Sequence, residues 1–130
     1  MTFLPTQSYR ALGPDGPAVI ALRESLAPFV GERIVGLLAY TVSHGSCAEF
    51  YRARLAADDA TDPQLTEAEQ LLLDWAKVIA LDPASVPPSL SSRLEATFSP
   101  ETRALLVAYM AQVIAATVAV DIAGAPVEAL

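Results

Sequence analysis

Three side chains that could do chemistry lie close together in the sequence, at His44, Cys47 and Tyr51. Gly45 and Ser46 indicate that one helix ends and another begins between them, because glycine suits a helix C-terminus and Ser46 opens a capping-box pattern. Cys47 would then lie in the first turn of a helix, where backbone N–H groups and the helix dipole favour the thiolate and lower the pKa of the thiol. The sequence therefore predicts a candidate nucleophile at Cys47.

Residues three and four positions apart share one face of a helix. If helical geometry extends back to His44, then His44, Cys47 and Tyr51 converge, and the imidazole can accept or donate a proton. Glu32, in the first turn of the preceding helix, would reach them only through the packing of the two helices. We therefore predict Glu32, His44, Cys47 and Tyr51 as catalytic residues, with neither a metal nor a cofactor.

Each of these four residues also has a structural interpretation, which the sequence leaves open. A lone cysteine is as often a buried packing residue as a reactive one. The His44 side chain could cap the carbonyl groups of the preceding helix, and Tyr51 could be a core aromatic with its hydroxyl at the edge of the core. Glu32 could simply complement a helix dipole.

Helices are expected to position these residues, because proline and glycine divide the chain into segments of helical apolar spacing, with no strand-like alternation. We predict an all-α bundle of about six helices, in a single domain covering residues 1–130. The expected helices cover about residues 17–27, 31–43, 46–57, 66–82 and 88–98, and a long one from residue 100 to a short tail at 124–130. Pro28 is expected to close the first helix, and a loop is expected at 58–63.

Composition restricts the classes of function. The chain has 130 residues, of which 53% are hydrophobic and 18% charged, which is more apolar than a small monomer easily hides. We therefore expect a homo-oligomer. A net charge of −7 with scattered basic residues disfavours binding to nucleic acid. A single cysteine excludes an internal disulfide and fits a reducing, cytoplasmic location.

Residues 104–120 form an uncharged run of 17, which is at the lower limit for crossing a membrane. The run is rich in alanine, contains Gln112 and Thr117, and has Arg103 and Asp121 at its ends, so only one flank is basic. We therefore expect a helix buried in the core or in an interface, and no membrane span. The N-terminus has no basic leader before an apolar core, so we expect no signal peptide.

The segment from Glu32 to Tyr51 resembles the alkylhydroperoxidase D-like (AhpD-like) branch of the carboxymuconolactone decarboxylase superfamily. In that family, a glutamate is followed, after eleven intervening residues, by a Cys-x-x-Cys pair that opens the next helix, and then by a histidine. The corresponding residues here are Glu32, His44, Cys47 and Tyr51. The spacing is preserved, while two of the four identities differ.

The resemblance covers roughly residues 25–124, since 65–83 and 91–122 look like the downstream helices of the family. Near 115–118, many relatives carry an Asn-Arg pair, whereas this chain has small and aliphatic residues and a threonine. A polar anchor is therefore missing. The resemblance implies an AhpD-like helical bundle that assembles as a trimer or hexamer.

Three functions follow from the resemblance. The peroxidase reaction of the family needs a resolving thiol, so this chain could act only as a one-cysteine thiol peroxidase through Cys47, with an external thiol. The other arm of the superfamily performs lactone decarboxylation and related proton transfers without a cysteine pair. We expect this second chemistry, in a small-molecule enzyme of lyase or isomerase type that acts on a carbonyl-bearing substrate. The third alternative is a catalytically silent oligomeric or ligand-binding protein.

Overall fold

Six α-helices lie within the residues that the computed structural model describes, which are 12–58 and 65–124, and no strand is formed there. They are α1 (Pro17–Val30), α2 (Glu32–Val42), α3 (Gly45–Asp58), α4 (Glu67–Leu81), α5 (Pro88–Thr97) and α6 (Pro100–Ala123). The predicted all-α class with about six helices is confirmed. Most of the predicted loop at 58–63 and the tail after residue 124 lie outside the described residues.

Local caps set the starts of two helices, which the sequence places near residues 66 and 100. At α4, the Thr66 hydroxyl accepts a hydrogen bond from the Glu69 N–H at 3.1 Å, and the Glu69 carboxylate accepts one from the Thr66 N–H at 2.8 Å. At α6, the Ser99 hydroxyl accepts from the Thr102 N–H at 3.2 Å, and proline occupies the first helical position. These bonds satisfy backbone donors that the first turn of a helix leaves unpaired.

The predicted end of α1 is wrong. The helix continues through Pro28 to Val30, and the chain turns at Gly31, whose φ is +90°. Proline lacks a backbone N–H, so Pro28 removes one hydrogen bond from the helix. The helix still closes normally after it, because the Gly31 N–H bonds to the Ala27 carbonyl at 2.8 Å. Pro28 is exposed, so water can reach the carbonyl group that its ring leaves without a donor.

The predicted junction between α2 and α3 is wrong by one residue. Gly45 does have a left-handed backbone, with φ of +56°, but it begins α3 and does not end α2. Ser43 ends α2, and its hydroxyl donates to the Tyr40 carbonyl at 3.0 Å. Ser46 therefore lies inside α3. A Cβ atom at position 45 would come within 3.3 Å of the Asp121 carboxylate, which gives a second reason for glycine there.

Helix α2 lies at the centre of the bundle, in contact with α1, α3, α4 and α6. Its buried residues recur at helical intervals and form one continuous face: Ile34, Val35, Leu38, Ala39 and Val42. On α4, the face that packs into the core consists of Leu71, Leu72, Trp75 and Ile79, which are buried. Phe50 of α3 is half-buried against the core.

Helix α6 has one buried and one exposed apolar face. Its buried face contributes Leu106, Tyr109, Met110, Val113 and Ala116 to the core. On the other side, Val107, Val118 and Ile122 are more than half exposed. By length and composition alone, the helix could cross a membrane over Pro100–Ile122, a property that core helices of soluble proteins share. The buried face of α6 is therefore as predicted, and its outer apolar face is exposed to solvent.

Candidate functional site

A cavity of about 240 Å³ opens where α1, α2, α3 and α6 meet. Its walls are Arg23 of α1, Glu32 and Gly36 of α2, Tyr51, Arg54 and Leu55 of α3, and Tyr109 of α6. We call it the Glu32–Tyr51 cavity, because it brings together two of the four predicted site residues. His44 and Cys47 do not line it.

The pairing of α2 with α3 explains why Glu32 and Tyr51 meet. The two helices are joined by only two residues and pack along each other, so the start of α2 faces the second half of α3. Gly36 permits the close approach, since a Cβ atom there would lie 3.0 Å from Cδ2 of Leu55. A larger residue at position 36 would push α3 away and alter the cavity wall.

The two tyrosines of the cavity are almost fully buried. Tyr51 is 5% exposed and Tyr109 is 1% exposed, and the Tyr51 hydroxyl has no hydrogen-bond partner among the described residues. Burial raises the pKa of Tyr51 far above its usual value and raises the pKa of Tyr109 to about 12, while the positive charges of Arg23 and Arg54 act in the opposite direction on both. Both phenols therefore stay protonated at neutral pH and can donate hydrogen bonds.

The two arginines of the cavity have different environments. The Arg54 guanidinium is 3.0 Å from the Asp15 carboxylate, and it lies over the Phe50 ring at 4.6 Å from the ring centroid. Phe50 in turn contacts Tyr51 edge to face, with 5.3 Å between ring centroids. Arg23 is half-buried and forms no ion pair with a carboxylate of the described residues. The cavity thus combines one fixed cation with one that forms no ion pair within residues 12–58 and 65–124.

Glu32 and His44 are both exposed to solvent, at opposite ends of α2. Glu32 is the first residue of α2 and lies at the cavity. His44 lies in the link after α2, and its carbonyl accepts the Ala48 N–H at 3.3 Å. Because the helical geometry of α3 begins after it, His44 does not continue the face that carries Tyr51. The structure therefore brings Glu32 and Tyr51 to one cavity and leaves His44 outside it.

Cys47 is fully buried, and its thiol donates a weak hydrogen bond to the Ala116 carbonyl at 3.8 Å. Burial raises the pKa of the thiol, the Asp121 carboxylate raises it further, and the Thr117 hydroxyl opposes both. The predicted lowering of the Cys47 pKa is therefore wrong. The loss of hydration outweighs the helix N-terminus, because a thiolate inside the core loses its contact with water.

Arg23, Arg54 and Tyr109 were not predicted as site residues from the sequence. Tyr109 carried a weak signal, since it is the one ionisable residue in the uncharged run at 104–120. Arg54 carried a signal that was missed, since it lies three residues after Tyr51 on α3 and shares its helical face. Arg23 carried none, because its approach to Tyr51 depends on how α1 packs. Within residues 12–58 and 65–124, no three His, Cys, Asp or Glu side chains cluster as metal ligands would.

No family model, curated protein or solved structure matches this chain. The resemblance to the alkylhydroperoxidase D-like family therefore stays a prediction. Its support is the spacing from Glu32 to Tyr51 and the all-α fold.

Proposed function

We propose that this chain is a diverged AhpD-like protein that catalyses proton transfer on a small, carbonyl-bearing molecule, in a reaction of lyase or isomerase type. One observation carries the proposal. Glu32 and Tyr51, which occupy two of the four motif positions of the family and lie on different helices, line the same cavity. A concave site with a few convergent polar groups is the usual setting for small-molecule chemistry.

In the proposed reaction, the Glu32 carboxylate is the base. It accepts a proton from a carbon atom next to the substrate carbonyl, and it returns that proton to carbon at the end of the reaction. Tyr51 donates a hydrogen bond to the carbonyl oxygen, on which negative charge develops, and Arg23 and Arg54 stabilise that charge. His44 and Cys47 lie outside the cavity and take no part in this proton transfer.

The two alternatives differ in what supports them. A one-cysteine peroxidase needs a thiolate that peroxide can reach, whereas Cys47 is fully buried and its pKa is raised. No observation favours that function. A silent ligand-binding protein would use the same cavity without proton transfer, so an assay that detects proton transfer separates it from the proposed enzyme.

Hydrogen–deuterium exchange at carbon tests the proposal without the physiological substrate. We expect the protein, in D₂O with a set of short β-keto acids and unsaturated γ-lactones, to speed deuterium incorporation into at least one of them, as followed by proton NMR. Glu32→Gln should slow this exchange by about a hundredfold or more, because the base is lost.

Glu101→Gln is the matched control for this experiment, since Glu101 is exposed in the first turn of α6 and does not line the cavity. It should leave the exchange rate unchanged. If no compound exchanges faster with the protein than without it, or if Glu32→Gln is as fast as the wild type, the acid–base proposal is wrong. Binding without exchange would favour the silent ligand-binding protein.

We also propose that the chain forms a homo-oligomer through the outer face of α6. The exposed apolar residues there follow one another at intervals of 3, 4, 4, 3 and 4: Ala104, Val107, Ala111, Ala115, Val118 and Ile122. This repeat of eleven keeps them on one side of a nearly straight helix, over about 27 Å at 1.5 Å per residue. A second copy offers an identical stripe, whereas a bilayer fits poorly beside the exposed Gln112 amide.

Val118→Glu is expected to dissociate this oligomer, because it would bury an unpaired charge within the stripe. Light scattering on the eluting peak of a size-exclusion column should give a trimer or hexamer mass for the wild type and a smaller mass for the variant. Ser92→Glu, at an exposed position of α5, is the control and should keep the wild-type mass. A wild-type monomer would contradict the proposal, and so would a Val118→Glu protein of unchanged mass.

A further inference from the structure

The geometry points to a small monocarboxylate as the ligand of the Glu32–Tyr51 cavity, held between the Arg23 and Arg54 guanidinium groups. The inference rests on the proposed function only in taking this ligand to be the substrate, since binding itself needs no catalysis. It assigns a binding role to two arginines on different helices, α1 and α3, and a supporting role to the hydroxyl of Tyr51.

Cations and hydroxyl donors converge on the cavity. Both guanidinium groups line it, and their charges are close enough to both phenols to counteract the rise in pKa that burial causes. The Tyr51 hydroxyl is a donor without a partner among the described residues, on a side chain that is 95% buried, which is the complement of its 5% exposure. Guanidinium and phenol groups both donate to carboxylate oxygens, and charge-assisted bonds of this kind are the strong ones.

The charges at the cavity favour an anion with one negative charge over a dianion. Arg23 has no ion-pair partner in the described ranges, whereas Arg54 already pairs with Asp15 at 3.0 Å. Glu32 adds a second carboxylate to the same surroundings. The formal charges of Arg23, Arg54, Asp15 and Glu32 sum to zero, so a monocarboxylate would add one negative charge to the cavity and a phosphate dianion two.

Arg54 is held in place before any ligand binds. Its guanidinium stacks on Phe50 and bonds to Asp15, so little side-chain entropy is lost when it meets a carboxylate. The cavity of about 240 Å³ is somewhat smaller than the roughly 300–1,000 Å³ of pockets for drug-sized ligands, so it suits a smaller molecule. A keto acid with a few carbon atoms matches that size.

Calorimetric titration with acetoacetate, with its neutral methyl ester and with inorganic phosphate tests the inference. We expect acetoacetate to bind and the ester and phosphate to bind at least about tenfold more weakly, as the loss of one charge-assisted contact implies. Arg23→Gln should weaken acetoacetate binding by about tenfold or more. Arg23→Lys keeps the charge without the planar fork, so its affinity should fall between those of the wild type and Arg23→Gln. Lys77→Gln, an exposed change on α4, is the control and should bind as the wild type does.

Several outcomes would overturn the inference: no binding of acetoacetate, equal binding of its ester, tighter binding of phosphate, or unchanged binding by Arg23→Gln and Arg23→Lys. The Glu32→Gln protein separates this result from the proposed function, because it lacks the base but keeps both arginines. If acetoacetate binds to it and no compound exchanges deuterium with the wild type, the binding site stands and the catalytic proposal fails.

Discussion

Tyr51→Phe is expected to slow the proposed proton exchange by about a hundredfold or more and, at the same time, to make the free protein more stable. The activity falls because the donor to the carbonyl oxygen is lost. The stability rises because the hydroxyl is buried without a partner among the described residues, and an unpaired buried polar group costs about 1 to 3 kcal/mol. Phenylalanine keeps the ring and its contact with Phe50.

Two measurements check this prediction: deuterium exchange at carbon, and the free energy of unfolding from urea titration. Tyr40→Phe is the matched control, since Tyr40 is 40% exposed and does not line the cavity. It should change neither quantity. A Tyr51→Phe protein that is less stable than the wild type and fully active would give Tyr51 a structural role only.

The opposite signs of the two effects identify a functional residue more clearly than a loss of activity alone. When a residue that only supports the fold is truncated, the protein loses stability and its activity falls together with the stability. A hydroxyl kept in the core at a cost to stability is instead typical of a site where function opposes stability. Tyr51 is such a position, because its ring is packed and its hydroxyl has no hydrogen-bond partner in the part of the chain that the structure describes.

The parts of the fold that depend on local chemistry could be predicted from the sequence. The capping box at Thr66 and the serine–proline start at Ser99 each need only a few neighbouring residues, and the two helices begin close to the predicted residues 66 and 100. The end of α1 could not be predicted so simply. Pro28 does not stop the helix, because whether a proline does so depends on its surroundings, here an exposed face, and not on its type alone.

The site was predictable where one pair of neighbouring helices forms it. Glu32 and Tyr51 followed from spacing, since α2 and α3 are adjacent in sequence and pack together. Arg23 and Tyr109 come from α1 and α6, and no spacing rule relates them. The prediction that His44 shares a helical face with Tyr51 failed for a specific reason. It assumed that the helix extends back to His44, whereas α3 starts at Gly45.

The burial of Cys47 leads to the second large expected effect. Its thiol is fully buried, so a reagent reaches it only when the surrounding helices open. Opening a packed core costs at least about 3 kcal/mol, and each 1.4 kcal/mol is a factor of ten, so we expect labelling at least about a hundredfold slower in the folded protein than in urea. A chromogenic disulfide reagent at mildly alkaline pH measures both rates.

A matched control separates burial from position on the helix. Ser46 is exposed and adjacent to Cys47 in the first turn of α3, so the double variant Ser46→Cys, Cys47→Ala moves the thiol by one residue into solvent. There the helix N-terminus can lower its pKa without the opposing effect of burial, and labelling should be fast. If the native Cys47 reacts with the reagent and with peroxide as fast as this control, the thiol is accessible in solution. A one-cysteine peroxidase would then again compete with acid–base catalysis, because the main argument against it is that peroxide cannot reach the sulfur.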